Sequence, residues 1–406
     1  MNNVIELKFT PLTKDLYEVE FKGGIEGKEP DLLFGLKNVR SFDRSKYHDY
    51  QKARAKLYKY KLLRGVDEPE IEIDRDLDLD CQTLTDDFRI NLKEVNVENK
   101  HDNERNRQAF EESAKTLLTT LNDWGRSPEF AKIRKAIVDR QENLRVTISS
   151  ECPDLRKQPF HQWNLFPDGV EVVFSGVEAA RLPRFYREKI RILIILGDSR
   201  GIDIEKDKKA IEQYCKNDAE APTILAQPTR IELKEALADR QGWDIIFFSG
   251  HSHTENTNTG RICINATDSL TMDELQDVLK PAIEQRVQIA IFNSCDGLGI
   301  ALVLERLNID RIIVMREPIP DKIAQEFLKS FLQAFTHGKR FDDAVKFARQ
   351  ELVNLEQDYP YVSWLPIIIQ NRLAPSITWQ GLGKVQSPYK GLFAFTEADA
   401  DNFYGR

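Results

Sequence analysis

From about residue 188 onward the chain repeats one pattern: a short unbroken apolar run, a polar turn, then a stretch with helical spacing. The runs are "KIRILIILGDS", "DIIFFSGH", "QIAIFNSC", "DRIIVMREP" and "WLPIIIQN", with "APTILAQ" as a shorter one. An alternating strand needs cover on one face only. An unbroken apolar strand needs cover on both, and the helices between successive strands supply it. The pattern therefore predicts an α/β fold with a mostly parallel sheet flanked by helices. The helices are expected in "DIEKDKKAIEQYCKN", "TRIELKEALADRQ", "TMDELQDVLKPAI", "GIALVLERLN", "DKIAQEFLKSFLQAFTHGK" and "FDDAVKFARQELVNLE". The second opens on a Thr N-cap. The third is expected to end near Pro281, because proline lacks the N–H a helix interior needs. "TGRICINATDSLT" reads as a small hairpin.

Residues 1–185 read differently, as an α+β accessory region that partners the sheet. "VIELKFTPLTKDLYEVEFK" resembles a hairpin, residues 43–62 and 104–123 have helical spacing, and "NLRVTISSE" and "VEVVFSG" read as strands. Trp163 between those strands is expected in the core. The acidic run at 67–80 reads as a solvated segment, since its aspartates lack the spacing of a calcium loop. On this reading 186–372 is the sheet domain, and 373–406 is a linker followed by the start of a further segment. "LAPSITWQGLGKVQSP" supplies the glycines and prolines of such a linker.

Composition narrows the partners. A formal net charge of −8 argues against a nucleic-acid surface, which is usually basic. No apolar run approaches the ~18 residues of a membrane span, and "MNNVIELKFT" lacks the regions of a signal peptide. The five cysteines stand at 81, 152, 215, 263 and 295, with no CxxC spacing. That argues against a zinc site and a disulfide framework, and favours a reducing cytoplasm. No metal or cofactor is expected.

Two of the apolar runs stop on a reactive side chain: "FFSGHS" at His251 and "QIAIFNSCDG" at Cys295. Ligands of an open parallel sheet bind beyond the carboxyl ends of its strands. If the two strands are neighbours, both side chains face one crevice. Imidazole can take the thiol proton, the thiolate can attack a carbonyl, and the imidazolium can protonate the leaving amine. The backbone N–H groups of Ser252 and Cys295 are the candidate oxyanion donors. His253 is a rival base, because it shares a face with His251 in an extended segment. Cys215 and Cys263 read as structural. Asp198, Asp203, Asn293 and Asp296 stand at the same carboxyl edge and are pocket candidates. Ordinary turn chemistry accounts equally for "GDSRGID". Cys295 follows His251 by 44 residues, against the ~50 of caspases, but "NSCDG" is not the caspase signature.

The second half resembles a CHAT domain, a caspase-like peptidase family related to caspases, metacaspases and separases. The resemblance is carried over 190–371 by "SGHS", "NSCDGLG", "GRICINATDSLTMDEL", "RIIVMREPIPD", "AQEFLKSFLQAFTHGKRFDDAVKFARQEL" and "SWLPIIIQN", in order. "FHQWNLFPDGVEVVFSG" is similar to segments that precede CHAT domains in bacterial proteins. The resemblance implies a caspase-like sheet, His251 as base and Cys295 as nucleophile, with Asp296 an unusual residue after the cysteine. "SPYKGLFAFTEADADNFYGR" resembles the opening segment of an nSTAND ATPase module, although no G-x-x-x-x-G-K-[ST] occurs in the chain. That implies a linked sensor module beyond residue 406. Two functional readings follow. One is a cysteine endopeptidase acting on a protein or peptide substrate, held by a sensor in a bacterial signalling or defence protein. The other is a catalytically inactive caspase-like adaptor. A non-peptide amidase fits the dyad but not the resemblance.

Overall fold

The computed structural model describes residues 3–25, 30–64, 99–139, 144–150, 152–167, 170–176, 189–198, 204–215, 218–254, 260–284, 287–294, 297–317 and 319–382. Its strands in chain order are β1 (Asn3–Pro11), β2 (Leu16–Ile25), β3 (Asp31–Arg40), β4 (Leu144–Ser150), β5 (Val172–Ser175), β6 (Ile192–Leu196), β7 (Thr223–Ala226), β8 (Ile245–Ser249), β9 (Ser252–Thr254), β10 (Gly260–Cys263), β11 (Ser269–Thr271), β12 (Ile289–Asn293), β13 (Arg311–Met315) and β14 (Pro366–Gln370). The helices are α1 (Ser45–Arg64), α2 (Asn99–Arg126), α3 (Ala131–Val138), α4 (Pro153–Arg156), α5 (Ile204–Tyr214), α6 (Arg230–Leu237), α7 (Met272–Glu284), α8 (Gly297–Arg306), α9 (Asp321–Thr336) and α10 (Phe341–Val353).

One sheet of eleven strands runs β3-β2-β1-β4-β5-β14-β13-β12-β8-β6-β7. The β2–β3, β1–β2 and β13–β14 pairs are antiparallel and the remaining neighbours are parallel. The α/β class expected from the apolar runs is the one observed. The accessory strands join this sheet: Phe174 of β5 pairs with Ile369 of β14. The predicted first hairpin is present, with Phe9 opposite Val19. β3 has no counterpart in the sequence reading, because "DLLFGLKNVR" is largely exposed and its alternation is broken at two register shifts.

The unbroken runs are explained by period two. Ile192, Ile194 and Leu196 of β6 pack on one face, and Leu193 and Ile195 on the other. In β8, Ile245 and Phe247 join the first face while Ile246 and Phe248 join the second. Helices α5, α9 and α10 cover the first face through Ile211, Phe327, Phe331 and Val345. Helices α6, α7 and α8 cover the second through Leu233, Leu275 and Leu304. Each strand residue is thus inside whichever way it points.

Two helix boundaries test local chemistry. Thr229 caps α6 as expected: its Oγ1 accepts from the Glu232 N–H at 3.3 Å, and its own N–H donates to Glu232 Oε2 at 2.8 Å. This reciprocal box satisfies two otherwise orphaned donors. Pro281, by contrast, does not end α7, which continues to Glu284. An interior proline costs about 3 kcal/mol. Ala282 and Ile283 lie beyond it and are buried, so packing of the final turn offsets the lost hydrogen bond.

Candidate active site

The strands that end on the two reactive residues are neighbours in the sheet. β8 and β12 run parallel and in register, with Phe248 opposite Phe292 and Ser249 opposite Asn293. Parallel neighbours lie about 4.8 Å apart. His251 follows two residues after Ser249, and in sequence Cys295 follows two residues after Asn293. Cys295, Asp296 and Asp203 lie outside the described residues, as do the acidic run at 67–80 and the segment from 383 onward.

Backbone hydrogen bonds hold the turn that carries His251. Gly197 N–H, just past β6, donates to Ser249 C=O at 2.8 Å. Cys263 N–H donates to His251 C=O at 2.9 Å, and Asp198 N–H donates to Cys263 C=O at 3.0 Å. The small sheet β11-β10-β9 is thereby tied to the carboxyl edge of the large one. The close approach needs glycine at two positions. A Cβ on Gly250 would stand 3.1 Å from Gly197 Cα and 3.1 Å from the Phe248 ring. A Cβ on Gly197 would collide with the Cys263 carbonyl oxygen. The glycines of "LGD" and "SGH" are therefore required by the crossing of two chain segments.

The remaining candidates divide by depth. The His251 side chain is half-buried, while Ser252 is buried at the start of β9, opposite Ile262. His253 stands opposite Arg261 on β9, and its side chain lies outside the described residues. Asp198 is only 1% exposed and Asn293 8%. Cys263 and Cys215 are both buried, and burial pushes the Cys215 thiol up to about 12. A thiol so held stays protonated and inert. Among the described residues no group of three or more His, Cys, Asp or Glu side chains could hold a metal ion, and no helix is long and apolar enough to cross a membrane.

One residue of the site escaped sequence reasoning. Asp207, in the first turn of α5, is 1% exposed. Its Oδ2 accepts from Ser249 Oγ at 2.7 Å and from Asn293 Nδ2 at 3.2 Å. A buried carboxylate is stable only when hydrogen-bonded, and a helix N-terminus adds favourable partial charge. The available signal was spacing. Asp207 precedes Ile211 by one helical turn, so the two share the face that α5 turns to the sheet. In a stretch as charged as "IEKDKKAIEQY" that one inward acid is easily read as solvated.

Comparison with known proteins adds the following. The sequence matches the CHAT domain family over residues 126–379. No curated protein matches it. Among solved structures it is similar to the Arg-specific cysteine proteinase gingipain R, at 11% identity and a TM-score of 0.45, covering 64% of this chain and 71% of that one. It is similar to the complex of the pro- and mature domains of RgpB from Porphyromonas gingivalis, at 10% identity and a TM-score of 0.42, covering 63% and 70%. A third is the separase–securin complex of Saccharomyces cerevisiae, at 10% identity and a TM-score of 0.37, covering 82% of this chain and 23% of that one.

Proposed function

Since the chain belongs to the CHAT domain family, we propose that it is a caspase-like cysteine endopeptidase with Cys295 as nucleophile and His251 as general base. The observation that carries this reading is the register of β8 and β12. Ser249 and Asn293 are paired across the sheet, and each is followed two residues later by one member of the dyad. The imidazole of His251 takes the thiol proton, and the thiolate adds to the scissile carbonyl carbon. The oxyanion is met by the backbone N–H groups of Ser252 and Cys295. Collapse of this intermediate breaks the C–N bond, and the proton held by His251 passes to the departing amine. Water, deprotonated by the same imidazole, then hydrolyses the thioester and restores the thiol. The nSTAND-like sequence at the carboxyl terminus supports a linked ATPase module as the regulator of this site.

The test is cleavage of a complex proteome, read as new N-termini. The wild-type chain is expected to generate a defined set. Cys295→Ala and His251→Ala are each expected to abolish it while melting as the wild type does, and Cys215→Ala is expected to retain it. New termini that persist in Cys295→Ala would remove the assignment.

A further inference from the structure

The geometry points to Asp207 as the positioning residue of the catalytic dyad: its carboxylate locks the tips of β8 and β12 together from beneath. This inference rests on the Cys–His reading and specifies what holds it in place. One oxygen, Asp207 Oδ2, accepts from the last residue of each strand, Ser249 and Asn293. Those two residues are register partners, and each lies two residues before a member of the dyad. The sheet's own hydrogen bonds stop contributing at this point, because β8 and β12 both end there. Beyond the last paired residues, only side chains and turns can fix the spacing of the two segments. Asp207 does so from α5, a helix that packs against α9 and the sheet rather than riding on either turn. Its Ile211, one turn on, anchors the same helix face in the apolar core.

The chemical consequence concerns geometry. Proton transfer from thiol to imidazole requires the two groups at hydrogen-bond reach. A misplacement of about 1 Å can cost roughly 100-fold in rate. Serine and asparagine were the apt choices opposite a carboxylate. Each donates through a short side chain with few rotamers, and hydrogen bonds to an ionised acceptor are the stronger kind. Asn293 therefore has its Nδ2 directed into the protein toward Asp207.

The experiment is site-resolved alkylation of Cys295 by iodoacetamide between pH 5 and 9, quantified by mass spectrometry on the full chain. Four proteins are compared: wild type, His251→Ala, Asp207→Ala and Asp207→Asn. In the wild type the rate is expected to rise at a pH well below the ~8.5 of an ordinary thiol. His251→Ala should move the profile up to that value, and Asp207→Ala should move it the same way. Asp207→Asn should keep most of the wild-type profile, because its amide oxygen still accepts from both donors. With a peptide identified from the N-terminal mapping, Asp207→Ala should lower kcat about 100-fold and leave KM within about twofold. If Asp207→Ala fails to fold, the pair Ser249→Ala with Asn293→Leu removes the same two bonds and should give the same profile. A wild-type profile in Asp207→Ala or in that pair, with a shifted one in His251→Ala, overturns the role of Asp207 alone. An Asp207→Asn profile as perturbed as the alanine variant's overturns it too. An unshifted His251→Ala profile overturns the dyad reading, and this inference with it.

Discussion

The carboxyl edge of β8 and β12 and the joint between the amino-terminal strands and the rest of the sheet both bury charge, but they bury it differently. At the joint, Arg145 of β4 pairs with Asp342 of α10, and Arg349 of α10 pairs with Glu171 just before β5. Arg156 of α4 meets Glu305 of α8 at 2.5 Å. Arg349 also donates to the Pro366 carbonyl from Nε at 3.0 Å and Nη2 at 2.6 Å. Each guanidinium reaches from the accessory side to the helices or back, so opposite charges meet across the join. At the strand tips a buried carboxylate accepts from the hydroxyl of Ser249 and the amide of Asn293. The difference teaches what each arrangement is for. Paired opposite charges orient two layers and can be replaced by apolar groups of the same volume. A carboxylate holding neutral donors fixes two specific atoms, and no apolar residue can take its place.

That contrast is open to measurement, first at the joint, where the largest effect is expected. Asp342→Ala leaves Arg145 buried without its carboxylate, and losing one partner of a buried pair costs about 3–5 kcal/mol. Equilibrium urea unfolding should show that loss. The double replacement Arg145→Met with Asp342→Leu should recover most of it. Equal losses in the single and double variants would show that the pair stabilises in its own right, and the contrast with the strand tips would fail.

A smaller effect is expected at His161, whose imidazole is repelled as a cation by Arg349 of the same joint. Its Nε2 is enclosed without a hydrogen-bond partner. Burial, reinforced by Arg349 and Arg316, holds its pKa well below the ordinary imidazole value. The unfolded chain takes up a proton near pH 6.5 that the folded imidazole refuses. Its contribution to stability is therefore complete above about pH 6.5 and declines as pH falls below it. Thermal melts from pH 7.5 to 5 should show Tm falling more steeply in the wild type than in His161→Gln. Parallel slopes would mean that His161 accepts its proton in the folded state.

The smallest effect belongs to an exposed helix cap. Thr229→Ala removes the cap of α6 and should cost about 1 kcal/mol. It calibrates what an exposed local hydrogen bond is worth here. A loss as large as that of Asp342→Ala would mean that burial does not set the size of the loss at the joint.

Much of the fold was legible before any coordinates. The runs "RILIIL", "DIIFFS" and "QIAIFN" could only be strands covered on both faces, because period two places every residue inside. Thr229 announced the start of α6 as an N-cap, and the reciprocal bond from Glu232 appeared only in the structure. Pro281 misled, because a local rule about a missing donor was outweighed by the burial of Ala282 and Ile283 directly after it. β3 was missed because an exposed edge strand carries no strong apolar pattern.

For the site, sequence by itself determined that a histidine and a cysteine stand at the ends of two apolar strands, and that "LGD" and "SGH" supply glycines near them. These are local properties of a chain with period two and sharp turns. That β8 and β12 are neighbours in register, that β5 joins β14, and that Asp207 reaches Ser249 and Asn293 were decided by the tertiary structure alone. The partners are 42 and 86 residues away from Asp207 along the chain. No local pattern encodes a contact at that separation. It arises only when both faces of the sheet have been covered and α5 has been pressed against one of them.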